Sequence, residues 1–117
     1  MNKLILPYPP SANHYLKRGK NGVFRTQEAN DYRENVQMIC LIARLEPLLG
    51  DVSLFIDVYR PRRSGDVDNV LKVVLDSLQG HLYENDRQVS HISITRHDDK
   101  NDPRIEVTAL GQTRKTE

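Results

Sequence analysis

DVSLFIDVYRPRRSGDVDNVLKVVLDSLQG, residues 51–80, changes its hydrophobic period part-way along, and that change decides the class of fold. Val52, Leu54, Ile56 and Val58 alternate with Ser53, Phe55, Asp57 and Tyr59, which is the period of two that a half-buried strand requires. Arg60-Pro61 closes the strand, because proline has no N–H to continue a ladder. Val67, Val70, Leu71, Val74, Leu75 and Leu78 then recur at helical spacing, and Gly80 supplies the stop. A half-apolar strand followed by an amphipathic helix buries both faces most simply when helices cover a sheet.

The flanking sequence extends this reading. Leu4 to Leu6 make a short strand, and Pro7, Pro9 and Pro10 force an extended path after it. KRGKNG, residues 17–22, reads as a flexible loop or hairpin tip. Thr26 is placed to cap a first helix whose apolar stripe is Ala29, Tyr32, Val36, Ile39, Cys40 and Ala43, ended by Pro47 and Gly50. Alternation returns over 89–96, DDKNDP makes a turn, and Ile105, Val107 and Ala109 carry a last strand. The expected fold is α/β of the α+β kind: one domain over 1–117, a mixed β-sheet with two helices packed against it. Its order is strand, helix, strand, helix, strand, strand, with 111–117 a disordered tail.

Bulk composition narrows the class. A chain of 117 residues suffices for one core, and 38% hydrophobic with 28% charged residues is ordinary for a globular domain. No apolar run approaches the roughly 20 residues that cross a bilayer, and prolines interrupt MNKLILPYPP before a signal-peptide core forms. The single cysteine, Cys40, sits among apolar residues and reads as a packed thiol in a reducing compartment, the cytoplasm. Seventeen basic and sixteen acidic side chains nearly cancel, but the bases cluster at Lys17, Arg18, Lys20 and Arg25 and again at Arg60, Arg62 and Arg63. Such patches engage phosphates without a basic total, although a single cluster is more often solvated surface.

The mouth of the second helix holds the densest chemistry. Asp66 or Asp68 caps a helix N-terminus, where an anion gains about 0.3–1 kcal/mol from the macrodipole. Lys72 lies four residues from both Asp68 and Asp76, so an exposed ion pair accounts for it equally well. Asp86 opens a further reading. The helix advances about 18 Å from Asp68 to Gly80, and the residues after Gly80 are numerous enough to return that distance, so chain length permits Asp86 to reach Asp66 and Asp68. Carboxylates about 4 Å apart repel by roughly 4 kcal/mol at an effective dielectric of 20, which a bound cation relieves. An all-oxygen set suits magnesium or manganese. An EF-hand is excluded, because Val70, Leu71 and Ser77 occupy the positions that need a ligand, glycine and glutamate. His14, His81, His91 and His97 show no zinc-like spacing with Cys40, and neither a P-loop nor a GxSxG elbow is present.

D-V-D-N-V-L-K-V-V-L-D-S-L followed by N-D-R-Q-V resembles the RusA family of Holliday-junction resolvases, whose pattern is D-x-D-N-x-x-K-x-x-x-D-x-L and then a downstream acid. L-P-Y-P-P-S-A-N-H-Y near the N-terminus and D-Y-R-E-N-V in the first helix are similar to that family as well. The resemblance implies a Mg2+-dependent homodimeric endodeoxyribonuclease, bacterial or phage-encoded, that cuts four-way DNA by paired nicks. It further implies Asp66, Asp68 and Asp86 as catalytic, metal-holding carboxylates, Lys72 as the catalytic lysine, and Asn69 and Asp76 in support, the latter fixing Lys72. Asn85 departs from the pattern, standing where many relatives carry an acid. Arg60, Arg62 and Arg63 are the expected phosphate guides, with Lys17, Arg18 and Lys20 gripping another arm. Tyr8, Tyr15 and Phe24 stay unassigned. A metal-dependent nuclease for other branched nucleic acids, and a non-catalytic junction-binding module, are the alternatives.

Overall fold

The computed structural model describes residues 3–11, 14–62 and 67–112, except for the side chains of Val67, Asp68, Asn69 and Gln112. Its elements are β1 (Leu4–Pro7), β2 (Leu16–Gly19), β3 (Gly22–Arg25), α1 (Gln27–Ile42), β4 (Leu49–Arg60), α2 (Val67–Leu78), a single 3-10 turn (Asp86–Gln88), β5 (Val89–Asp98) and β6 (Arg104–Gln112).

β4 is the centre of the molecule because its alternation is the longest. It pairs with β5 in parallel and with β6 antiparallel, β1 closes the far edge antiparallel to β6, and the sheet order is β1-β6-β4-β5. Val52, Leu54, Ile56 and Val58 point to one face with Leu4, Leu6, Ile105, Val107 and Ala109, and all are buried. Both helices complete the core, α1 through Ala29, Tyr32, Val36 and Cys40, α2 through Val73, Val74 and Leu78. Among the described residues no helix covers the opposite face: Ile5, Phe55 and Leu110 are exposed there, beside Tyr59 stacked on His97 and capped by the Arg104 guanidinium 3.7 Å away. One covered and one open face is what the alternating strands encode.

The expected order of the main elements is the observed one, with one addition. KRGKNG lies in a real hairpin, with residues 17–19 in β2, Gly22 in β3 and only residues 20 and 21 at the tip; β2 and β3 form a separate two-stranded sheet ahead of α1. Its strands escape a pattern reading because every residue in them is exposed, so no alternation marks them. Thr26 does cap α1, accepting the Ala29 N–H at 3.2 Å. The helix ends sooner than Pro47: Arg44 adopts a left-handed φ of 57°, and the Leu45 N–H returns to the Cys40 carbonyl. At the C-terminus, residues 111 and 112 belong to β6 rather than to a tail, while 113–117 lie outside the described residues. No helix among the described residues is long and apolar enough to cross a membrane.

Candidate active site

α2 carries Asp68, Lys72 and Asp76 at successive four-residue steps, which places them along one helical stripe. Lys72 is exposed. Asp76, two turns below Asp68, is the hub of a network that joins α2 to α1, to β3 and to Tyr15 just ahead of β2. Its Oδ2 accepts the Tyr15 hydroxyl and the Arg33 Nη1 at 2.6 Å, with Arg25 Nε at 3.5 Å, and the same Arg33 nitrogen also donates to the Asp76 carbonyl at 3.0 Å. Partial burial pushes the Asp76 carboxyl upward, but Tyr15, Arg33 and Arg25 outweigh it, and the group sits below the usual carboxylate range. The expectation that Asp76 fixes Lys72 therefore gives way. Its carboxylate is turned to the hairpin flanks and α1 instead.

Below α2 the chain turns through Gly80, whose φ of 89° suits glycine and lets the strand-like segment after it return. Tyr83 is fully buried and donates its hydroxyl to the Leu75 carbonyl at 2.8 Å, while the Leu48 N–H donates to the Leu82 carbonyl at 2.9 Å. Asp86 opens the 3-10 turn and is exposed, with its N–H on the Gln79 Oε1 at 3.1 Å. Asn85 is the cap of that turn: its Oδ1 accepts the Arg87 N–H, and the Gln88 side chain reaches back to the Asn85 N–H. Gln88 also donates to the carbonyls of Leu48 and Gly50.

These bonds hold Asp86 at the far end of α2 from the helix's first turn. β5 runs parallel to β4, so β4, α2 and β5 form a crossover in which β5 must start where β4 starts. Asp86 precedes β5 and is pinned beside Gln79, at the C-terminal end of α2, whereas Asp68 belongs to the N-terminal turn. Eleven helical steps of ~1.5 Å separate the two levels, about 16 Å. The residues after Gly80 are spent on the Tyr83 turn, not on a climb back along the helix. Asp66 and the side chains of Asp68 and Asn69 lie outside the described residues. Among the described residues no three His, Cys, Asp or Glu side chains gather in a metal-holding group, and Asp86 makes no ion pair.

Residues 7–109 match the family model described as Endodeoxyribonuclease RusA. The chain belongs to the RusA family of endodeoxyribonucleases. It is 34% identical over 98 residues to the crossover junction endodeoxyribonuclease of Enterobacteria phage HK97, covering 80% of this chain and 81% of that one. It is 31% identical over 108 residues to the crossover junction endodeoxyribonuclease RusA of Escherichia coli K12, and 30% identical to that of Enterobacteria phage 82, each match covering 90% of both chains.

In this RusA-family chain the basic residues divide. Lys17, Arg18 and Lys20 are exposed on the hairpin, and Arg62 is exposed after β4. Arg63 lies outside the described residues. Arg60 corrects the expectation of a phosphate guide: it shares the inward parity of Val52 to Val58, is 8% exposed, and spends its guanidinium on Asp98, its neighbour across β5, at 2.8 and 3.1 Å. Tyr15, Arg33, Gln79 and Tyr83 are the positioning residues that sequence reasoning missed. Arg33 lies within D-Y-R-E-N-V, but its bond to Asp76 spans distant segments, and no spacing rule announces such a partner.

Proposed function

We propose that this chain resolves four-way DNA junctions by paired symmetric nicks, as a Mg2+-dependent homodimer. The family membership, with relatives named for crossover junctions, supports the substrate. The observation that carries the mechanism is the separation of Asp68 from Asp86 along α2. One chain carries Asp68 at the start of the helix and Asp86 beyond its end, so the carboxylates of Asp66, Asp68 and Asp86 work as a set when two copies face each other, the late acid of one completing the early pair of its partner.

Hard carboxylate oxygens fit magnesium or manganese, and Asp86, exposed and without an ion pair among the described residues, is free to serve. A divalent ion held there supplies Lewis-acid polarisation of the scissile phosphate and a more acidic water. The chain's own groups do the rest. Lys72, one turn below Asp68 and exposed, offsets charge that develops on the phosphate. Asn69 orients a carboxylate. Arg62, Arg63, Lys17, Arg18 and Lys20 draw the backbone towards a centre that is otherwise negative. A two-fold dimer matches the two equivalent strands of a junction and gives paired cuts.

Junction cleavage with and without magnesium, for wild type beside Asp68→Asn, tests this reading. Wild type is expected to cut four-way junctions only with the metal, in preference to matched duplexes and flaps, while the variant binds and does not cut. An Asp68→Asn protein that cleaves at the wild-type rate contradicts it, and equal cutting of flaps favours the broader branched-substrate nuclease.

A further inference from the structure

The β2–β3 hairpin combines features that the fold does not use. Leu16, Val23 and Phe24 are 49%, 61% and 52% exposed, too much for a core role. Residues 16–25 contain Lys17, Arg18, Lys20 and Arg25 and no acid. The Phe24 ring lies over Gly19, so closely that a Cβ there would stand 2.7 Å from Cε1.

The hairpin is also aimed. At its base the Thr26 N–H donates to the Tyr15 carbonyl at 3.0 Å, and Tyr15 and Arg25 are both bound to Asp76 on α2. Between hairpin and helix lies an open cleft of about 560 Å3, lined by Tyr15, Leu16, Val23, Phe24, Arg25 and Asp76. Lys72 is one helical turn from Asp76 on the same stripe, a spacing of roughly 5–6 Å between neighbours and close to one nucleotide step.

We infer that Phe24 is a stacking platform for a base left without a neighbour at the branch point, and that the hairpin cleft is where the enzyme reads the junction as a junction. This rests on the nuclease reading above and deepens it. A linear duplex keeps its bases stacked and has none to offer, whereas a branch point exposes base planes at little cost. An aromatic face accepts any base, and surrounding cations hold the flanking phosphates. A second copy of this chain is a poorer occupant, because its own hairpin brings the same positive charge on Lys17, Arg18 and Lys20.

The test uses the full chain without divalent metal, so that binding is read apart from cleavage. Probes are a four-way junction carrying 2-aminopurine at the branch point and a linear duplex of the same sequence. Phe24→Ala is expected to lose about ten- to hundredfold in junction affinity, with duplex affinity and melting temperature unchanged. Phe24→Leu, which keeps apolar cover over Gly19, is expected to lose as much, and Phe24→Trp to restore binding and the 2-aminopurine signal. Wild-type junction affinity in Phe24→Ala or Phe24→Leu overturns the inference, as does an equal loss on duplex, or a change in sedimentation without a change in junction binding. Wild-type protein that ignores junctions altogether overturns the nuclease reading first and this inference with it.

Discussion

Replacing Asp76 by asparagine keeps the side-chain shape and removes the charge that Tyr15, Arg33 and Arg25 share. A hydrogen bond to a charged group contributes about 1.5–3 kcal/mol. Here the Asp76 side chain is 37% exposed and Arg25 at 3.5 Å is more so, so solvent screening leaves Arg25 only a small share and trims the others. The amide also keeps one acceptor oxygen. The net loss at neutral pH is about 2 kcal/mol, or roughly 8 °C in melting temperature for a domain of this size. The pH dependence has a definite sign. The folded carboxyl lies below its unfolded value of about 3.9, so its contribution is complete above that pH and disappears as pH falls through the lower folded value. Thermal melts of both proteins from pH 7 down to pH 3 should show the gap closing at the acid end. A gap under about 2 °C at pH 7, or one that persists undiminished at pH 3, refutes the hub.

Arg60→Ala should lower stability by about 1–2 kcal/mol, by stripping a largely buried guanidinium from Asp98, and leave the salt dependence of DNA binding untouched; Arg62→Ala should do the reverse, reducing the slope of log affinity against log salt by about one. A lost slope in the Arg60 variant would restore it as a phosphate contact. Gly80→Ala should cost about 1 kcal/mol through its φ of 89° alone, since no atom lies within 4 Å of the added methyl, and chemical denaturation measures it. Burial pushes the Cys40 thiol up, so iodoacetamide should modify it only on unfolding; rapid alkylation of the native protein would place Cys40 outside the core.

The sequence announces elements whose faces differ. β4 and α1 are legible because burial writes a period into them, and Thr26 because capping has its own residue chemistry. The hairpin strands are illegible for the opposite reason, since exposed β2 and β3 carry no apolar alternation. For the site, Asp68, Lys72 and Asp76 could be put on one stripe from spacing alone. Asp86 could not be placed, because chain length permits a return along α2 and only the parallel pairing of β5 with β4 forbids it. Arg60 misled because a cation at a strand end looks like surface, while its parity with Val58 turns it inward onto Asp98.

A site completed between two copies can be rebuilt by mixing two dead enzymes. Asp68→Asn and Asp86→Asn proteins, each inactive alone, are unfolded and refolded together so that mixed dimers form, and then given a four-way junction with magnesium. A mixed dimer holds one doubly damaged site and one intact site. Cleavage should therefore return to about a quarter of the wild-type number of sites, as single nicks rather than paired cuts. No recovery in dimers shown to contain both variants would contradict the shared site and return all three carboxylates to a single chain.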